Sequence, residues 1–374
     1  MIPQKKQEDN LTSKIKQCHI PAAIRSILGT AGDVCILNGK DVFAGLSREK
    51  LIIMGCNTRI VHVIPGIMKA AEELDAIVAF ELTATEGGLD GGYTGQTPAS
   101  FVNTLIDYAQ RYNFTKPFII HADHITVKND SAAEIANAAS LLEAQLAAGF
   151  TSFALDASFN PLADNIRIVG ELARPLIEAG YGLEVELGEV KPVGSDSSLT
   201  SVAEAEEFLR ALAELEIHPQ LLAIDNGSKS GNYLDGQLVT IDLERTGEIF
   251  QVARSFGLSG LVQHGITGTP LHLVGKLAEY GIRKGNVGTL WQNVAHAGLP
   301  PGLMDAMRSW ARENGRNIKY ATGVFKKDID AIPDDHVQQI IQMAYREARD
   351  FITAFHARGS AGKLAAALDA GPCA

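Results

Sequence analysis

The feature that most constrains the fold of this chain is a repeat of short apolar strand, loop and amphipathic helix. Eight segments are apolar throughout rather than alternating, which is typical of strands in a parallel sheet covered on both faces. Eight such units over about 250 residues favour a closed (β/α)8 TIM barrel of the α/β class. A doubly wound open sheet is the alternative, but no G-x-G-x-x-G sequence follows the first strand. The strands are predicted at Leu51–Met54, Ala76–Leu82, Pro117–His121, Thr151–Asp156, Gly182–Leu187, Gln220–Asp225, Gly260–Gln263 and Ile282–Val287.

The predicted barrel spans residues 49–300 and carries an extension on each side. Residues 1–48 form an N-terminal extension with a polar tail and a helical segment near Ile20–Leu28. Residues 301–374 form a C-terminal helical extension, which we expect to pack on the barrel. Its two amphipathic patterns lie at Leu303–Asn314 and Asp334–Ala357.

The loops after predicted strands five and six are unusually long. They run over Gly188–Thr200 and Asn226–Thr240 and are rich in glycine, serine and aspartate. Loops of this length within a compact domain are commonly functional. We therefore expect both loops to act as mobile lids over a site.

Composition excludes several classes of protein. Of the 374 residues, 46% are hydrophobic and 21% charged, as in an ordinary soluble globular chain. A net charge of −11 argues against sequence-independent binding to nucleic acid. No apolar run has membrane-spanning length, and we expect no secretory leader. The four cysteines show no C-x-x-C spacing, which favours a reducing compartment, so we expect a cytoplasmic protein without membrane or nucleic-acid partners.

Ionisable and amide side chains stand at the C-terminal ends of most predicted strands. The clearest example is His121-Ala122-Asp123-His124, which follows the apolar run Phe118-Ile119-Ile120. In parallel α/β proteins these ends carry ligands and catalytic groups. Polar groups are costly at the mouth of an apolar barrel unless they are paired or coordinated, so the set predicts a site. The other members are Glu81, Glu86, Asp156, Glu184, Glu186, Glu189, Asp225, Asn226, Ser228, His264, Asn286 and Thr289.

Part of this set is suited to holding a divalent metal ion. His124 and His264, with Glu186 or His121 nearby, offer nitrogen and carboxylate ligands. Such a mixture favours zinc, although other divalent metals also accept it. Either histidine alone fits a buried, hydrogen-bonded imidazole equally well, so the metal hypothesis depends on their convergence.

A second part of the set predicts an anion site. Gly265–Pro270 leads into a helix predicted at Pro270–Tyr280, and Asn286–Thr289 leads into the helix after strand eight. Backbone N–H groups at helix N-termini bind phosphate, and loops seven and eight are the usual phosphate cradle of these barrels. Simple N-capping by threonine is the alternative for each loop singly. The candidate phosphate- and substrate-binding residues are Asn57, Asn226, Ser228, Gly265, Thr267, Gly268, Asn286, Gly288 and Thr289.

Five segments, in this order, resemble motifs of the class II (metal-dependent) fructose-bisphosphate and tagatose-bisphosphate aldolases. The segments are His121-Ala-Asp-His124, Gly182-Leu-Glu-Val-Glu-Leu-Gly188, Gln263-His-Gly-Ile-Thr-Gly268, Lys284-Gly-Asn-Val-Gly-Thr289 and Arg358-Gly-Ser-Ala-Gly-Lys363. Each motif is weak alone, but five in the correct order are fairly specific.

The resemblance implies an aldolase that cleaves or forms a C–C bond in a phosphorylated ketose. It implies that His124 and His264 bind catalytic zinc and that Glu186 belongs to the metal site, where the ion stabilises an enediolate. Asp123 would transfer the proton of the aldehyde-derived hydroxyl, and Glu189 or another lid carboxylate would transfer the C–H proton. The expected partners are a small sugar phosphate and further copies of the chain, since many family members are homo-oligomers.

Two departures keep alternatives open. Gly91-Gly-Tyr-Thr-Gly-Gln-Thr-Pro98 is very similar to a segment of the tagatose-bisphosphate aldolase accessory subunit, a non-catalytic relative. The loop after strand six, Asp225-Asn-Gly-Ser228, lacks the histidine that is the third zinc ligand in catalytic family members. A third ligand would have to come from His121, Glu186 or Asp225. The chain is therefore either an aldolase, a non-catalytic barrel that assembles with a catalytic subunit, or a metal-dependent epimerase or isomerase of sugar phosphates.

Overall fold

Eight parallel strands close into a barrel in the order of the sequence. The computed structural model describes residue 15 and residues 19–29, 34–188, 199–229 and 241–369. The first strand pairs with both the second and the eighth, which closes the sheet and confirms the predicted (β/α)8 barrel. The strands are β1 (Ile53–Asn57), β2 (Val78–Thr83), β3 (Phe118–Thr126), β4 (Ser152–Asp156), β5 (Gly182–Leu187), β6 (Leu221–Ile224), β7 (Gly260–Gln263) and β8 (Ile282–Val287).

Helices surround the barrel and continue beyond it. Several begin where the sequence supplies a cap, as at Thr97 and Ser201, whose side chains each form a capping box with the residue three positions on. The α-helices are α1 (Ala22–Leu28), α2 (Gly39–Gly45), α3 (Ile64–Glu73), α4 (Pro98–Arg111), α5 (Ala132–Ala148), α6 (Leu162–Glu178), α7 (Val202–Glu214), α8 (Leu243–Ser255), α9 (Leu271–Val274), α10 (Thr289–Gly298), α11 (Pro301–Glu313), α12 (Ala321–Val324), α13 (Lys326–Asp330), α14 (Asp334–Ala354) and α15 (Ser360–Asp369). No helix in the described part of the chain is both long and apolar enough to span a membrane.

The segment after β7 differs from the prediction. Instead of one helix over Pro270–Tyr280, the chain forms the short α9 and then a 3-10 helix over Gly275–Tyr280. The change falls at Gly275, where an added Cβ would lie 2.6 Å from the backbone oxygen of Ala354. Close packing against the end of α14 therefore competes with regular helix geometry at this position.

The helix α14 of the C-terminal extension packs tightly against the barrel helices α3 and α10. A Cβ added to Gly66 in α3 would lie 2.3 Å from the backbone oxygen of Ile341, and one added to Gly298 in α10 would lie 2.4 Å from a side-chain carbon of Ile340. Glycine lets the backbones of α3 and α14 approach at the first contact and makes room for the Ile340 side chain at the second. The extension is thereby held close to the mouth of the barrel, where it contributes to the site described next.

Candidate metal and substrate site

A β-bulge in β3 brings Asp123 and His124 to the same cavity. Ala122 pairs with Phe153 and Ile125 with Leu155, so β3 holds one residue more than β4 across this step. His124 has φ +47°, a left-handed conformation that costs a non-glycine residue on the order of 1–3 kcal/mol. In a regular strand adjacent side chains point to opposite faces, and a bulge re-aims one of them. Both Asp123 and His124 consequently line the cavity at the barrel mouth.

Three side chains from β3, β5 and the end of β7 converge on one point, and we call His124, Glu186 and His264 the metal group. One ligand atom from each lies within 4.8 Å of the others. Nε2 of His124 is 3.1 Å from Nδ1 of His264, and Nδ1 of His124 is 2.8 Å from Oε1 of Glu186. Nε2 of His264 is buried without a hydrogen-bond partner among the described residues. Two imidazoles and a carboxylate at this spacing fit a divalent cation such as zinc.

The electrostatics of the metal group reflect three ionisable side chains crowded into a buried space. Burial opposes charge on the His124 ring, but the carboxylates of Glu186 and Asp123 outweigh this and raise its pKa well above the usual value. Burial and the charged His124 lower the pKa of His264 to about 3. Burial and the carboxylate of Asp156 raise the pKa of Glu186 to about 8. The carboxylates of Glu186 and Asp156 are thus crowded beside His124, and a bound cation would relieve their mutual repulsion.

Asp123 is held as an oriented carboxylate next to the metal group. The side-chain amides of Asn57 and Asn286 each donate a hydrogen bond to it, both at 2.9 Å. Burial alone would raise the pKa of Asp123, but the positive charges of His124 and Lys284 hold that pKa well below its usual range. Asp123 is therefore ionised at neutral pH and available as a base.

His121 lies beneath the metal group rather than in it, which corrects our expectation that it binds the same ion. Its Nδ1 is 2.8 Å from the hydroxyl of Ser152, and its Nε2 is 3.0 Å from the ammonium of Lys284. That ammonium also contacts the carboxylates of Glu81 at 2.8 Å and Glu184 at 2.9 Å. The physical reason is the alternation of β3, because His121 precedes the bulge and points into the barrel interior.

The metal group and Asp123 open onto a cavity of about 450 Å³. This volume lies within the usual range of small-molecule sites. Six of the nine predicted phosphate- and substrate-binding residues line it. They are Asn57, Gly265, Thr267, Asn286, Gly288 and Thr289.

The other three predicted substrate-binding residues do not line this cavity. The side-chain amide of Asn226 donates to Gln263 at 2.7 Å and to Thr246 at 3.3 Å, so it ties β6 to its neighbours. The backbone N–H of Ser228 donates to the Asn226 side chain. Gly268 ends a 3-10 turn that precedes α9. None of the three lines the cavity that the described residues form, and their roles as substrate ligands stay predictions.

Loops seven and eight are joined directly. The hydroxyl of Thr267 accepts a hydrogen bond from the backbone N–H of Leu290, in the first turn of α10, at 3.2 Å. Gly265 has φ +69°, and a Cβ there would lie 2.3 Å from the backbone oxygen of Lys229. Glycine is thus required where loops six and seven touch. Glu189 and most of both predicted lids (189–198 and 230–240) lie outside the described residues.

Sequence reasoning missed several residues that the structure places at the site. Lys284 gave a readable signal, since β8 reads Ile-Arg-Lys-Gly-Asn-Val and so carries charged residues inside a strand of the predicted barrel. Arg59 could also have been predicted at the site, because it lies two residues after the C-terminal end of β1. Lys319 and Tyr320 line the cavity but come from the C-terminal extension, where nothing in the sequence pattern marked them.

Comparisons with known proteins show which family this chain resembles. A family model described as fructose-bisphosphate aldolase class-II matches residues 37–359. A fructose-bisphosphate aldolase of Geobacillus stearothermophilus is 26% identical over 260 residues, which cover 68% of this chain and 81% of that protein.

Two solved structures share the fold at low sequence identity. The YdjI aldolase from Escherichia coli K12 superposes with a TM-score of 0.62 at 20% identity, over 87% of this chain and 99% of that one. A fructose-bisphosphate aldolase from Campylobacter jejuni gives a TM-score of 0.61 at 17% identity, over 87% and 97% of the two chains. At these identities the likeness concerns the barrel itself.

Proposed function

This chain belongs to the class II fructose-bisphosphate aldolase family, and we propose that it cleaves or forms a C–C bond in a phosphorylated ketose with a divalent metal ion. The observation that carries this proposal is the shared cavity of the metal group and Asp123. Loops seven and eight line the same cavity with backbone N–H and hydroxyl groups, which are suited to a phosphate. One cavity therefore supports a cation, a base and an anion together.

The metal group supplies two imidazoles and one carboxylate for the proposed ion. When bound, a divalent ion polarises a ketose carbonyl and stabilises the negative charge that develops as the C–C bond breaks. Glu186 is close enough to complete the set in a chain that lacks a histidine after strand six. We propose zinc as the ion, because nitrogen and carboxylate ligands suit it.

Asp123 performs the proton transfer at the hydroxyl that becomes the aldehyde. In the cleavage direction its carboxylate takes the hydroxyl proton as the C–C bond breaks, and in the condensation direction it returns that proton. The amides of Asn57 and Asn286, on the adjacent strands β1 and β8, fix its two oxygen atoms. This orientation supports transfer to a hydroxyl on the open side of the cavity.

The C–H proton of the ketose fragment needs a second group. Two other carboxylates among the described residues line the cavity. Asp156 accepts from the hydroxyl of Ser158 at 2.7 Å and lies 3.3 Å from the ring of His124. Glu86 is engaged by Arg59 at 2.7 Å and by the hydroxyl of Tyr93 at 3.1 Å. A carboxylate held in this way is poorly placed to act as a base. We therefore retain Glu189, on the loop after β5, as the proposed carrier of this proton.

The proposal is tested by assaying cleavage of fructose and tagatose bisphosphates by metal-loaded protein. Asp123→Asn should lower turnover by about 10²–10⁴-fold while leaving metal content unchanged. Asp130→Asn, at an exposed aspartate, is the matched control and should behave as the unchanged protein. Absence of cleavage in fully loaded protein, or normal turnover in Asp123→Asn, would contradict the proposal.

One feature favours a second candidate, a non-catalytic barrel that assembles with a catalytic subunit. It is the segment Gly91–Pro98, which resembles the accessory subunit. The cleavage assay with the single purified chain separates the aldolase from the non-catalytic barrel, since only the aldolase cleaves without a partner subunit. A measurement of isomerisation of the same sugar phosphates tests whether the chain is an epimerase or isomerase. We also propose a cytoplasmic homo-oligomer, to be examined by sedimentation of the full chain.

A further inference from the structure

We propose that Lys319 and Arg59 form an anion-binding pair in the wall of the cavity and hold a phosphate group of the substrate beside the loop after β8. Lys319 is delivered by the C-terminal extension and Arg59 by the loop after β1. The inference rests on the proposed function only in taking the anion to be a substrate phosphate.

Lys319 forms no ion pair with a carboxylate in the described part of the chain. Among the residues that the structure describes, no carboxylate oxygen lies within 4.0 Å of its ammonium. The ammonium lies 5.3 Å from the ring centroids of both Tyr93 and Tyr320. Aromatic faces attract a cation without cancelling its charge, so this half-buried ammonium stays available to an anion.

The position of Lys319 is fixed by contacts on both sides of it. The side chain of Asn317 accepts a hydrogen bond from its backbone N–H at 3.0 Å. The backbone N–H of Gly323 donates to the oxygen of Tyr93 at 2.8 Å, and a Cβ on Gly323 would lie only 2.8 Å from that oxygen. The rings of Tyr93 and Tyr320 pack edge to face at 5.2 Å. The segment Gly91–Pro98 thus anchors the extension at the cavity.

Arg59 completes the pair on the side of β8. Its Nε donates to Glu86 and its Nη1 to Gln292, both at 2.7 Å, which holds the guanidinium in one orientation. Its Nη2 faces the loop after β8, where a Cβ added to Gly288 would come within 3.3 Å of it. Gly288 immediately precedes α10, so the guanidinium lies beside the N–H groups that begin this helix.

The two cations line one cavity and both lie next to Tyr93, since the Lys319 ammonium lies 5.3 Å from its ring centroid and its hydroxyl shares the Glu86 carboxylate with Arg59. Burial and then the charge of Arg59 lower the pKa of Lys319, with Glu86 only partly opposing this. Two like charges that face one cavity are relieved by an anion between them. A phosphate suits this arrangement because its several oxygens accept from a guanidinium, an ammonium and backbone N–H groups at once.

The experiment is calorimetric titration of the purified full-length chain with inorganic phosphate. Lys319→Met should weaken phosphate binding by roughly tenfold or more, since a charge-assisted contact is lost, and Lys319→Arg should restore part of it. Lys327→Met is the control, because it removes an exposed lysine from the same extension. Equal phosphate affinity in Lys319→Met and Lys327→Met, or no phosphate binding by the unchanged chain, would overturn the proposal.

Two further measurements distinguish this inference from binding of a carboxylate and from the proposed aldolase function. Acetate should compete poorly with phosphate for the site at Lys319 and Arg59. Equal competition would show that this site does not prefer phosphate over a carboxylate, and it would overturn the phosphate assignment. Phosphate binding needs no turnover. If Lys319→Met weakens phosphate binding but the unchanged chain cleaves no ketose, this inference holds and the proposed function is contradicted. If the unchanged chain cleaves normally and Lys319→Met binds phosphate with unaltered affinity, the proposed function holds and this inference is contradicted.

Discussion

Replacing Lys284 by methionine tests the charged cluster that supports the site from below. Its ammonium lies 2.8 Å from Glu81, 2.9 Å from Glu184 and 3.0 Å from the ring of His121. The lysine and both carboxylates are fully buried, with 0% of each side chain exposed. Methionine has a similar length and is apolar, so it fills the space and removes the charge alone.

The expected loss follows from the burial of these partners. Breaking a buried ion pair by removing one member costs about 3–5 kcal/mol, because an uncompensated charge remains. Burial already raises the pKa of Glu81 although Lys284 opposes this, and without the lysine that pKa rises further. A carboxyl whose folded pKa lies above its unfolded value loses stability as pH rises between the two values. The loss in free energy of unfolding caused by Lys284→Met should therefore be largest near pH 8 and smaller near pH 5.

The assay is urea unfolding of both proteins, followed by fluorescence of the buried Trp291. Lys50→Met is the matched control, since Lys50 pairs with Glu279 at an exposed position and its loss should change the free energy of unfolding by less than about 0.5 kcal/mol. The reasoning would be refuted if Lys284→Met lost no more stability than this control, or if its deficit grew as the pH fell.

Two further substitutions test packing and the junction of the phosphate loops. Gly66→Ala should destabilise the fold by about 1–3 kcal/mol, because its Cβ would lie 2.3 Å from the backbone oxygen of Ile341 in α14. Gly302→Ala is the control and should not destabilise the fold in this way, because nothing lies within 4 Å of its new Cβ. Equal thermal unfolding midpoints for the two variants would contradict the packing argument. Thr267→Val removes the acceptor for the Leu290 N–H and should cost about 1–3 kcal/mol and weaken phosphate binding. Thr353→Val, at an exposed hydroxyl, is its control, and unchanged stability and phosphate affinity in Thr267→Val would contradict it.

The barrel and the core of the site could be predicted from the sequence for one physical reason. In a closed parallel sheet the C-terminal ends of all strands lie at the same rim, so polar residues at those ends of β3, β5 and β7 meet although 140 positions separate His124 from His264. Apolar strands at regular intervals were enough to predict the sheet, and the strand ends then indicated the metal group.

Other features depended on contacts that no sequence pattern records. The bulge in β3 decides that His124 faces the cavity while His121 faces the buried Lys284, and a one-residue change of register is not visible in composition. Asn226 was equally plausible as a substrate ligand, but Gln263 lies close enough to take its amide. Lys319 reaches the site only because the extension folds back onto the Gly91–Pro98 segment.

The central claim is that His124 and His264 hold one ion between them. Its most direct test is elemental analysis of divalent metal in the purified full-length chain and in His124→Ala and His264→Ala, with exposed His272→Ala as control. The account predicts one equivalent of metal in the unchanged chain and in the control, and its loss in both of the other variants. Full metal content in either His124→Ala or His264→Ala would contradict it.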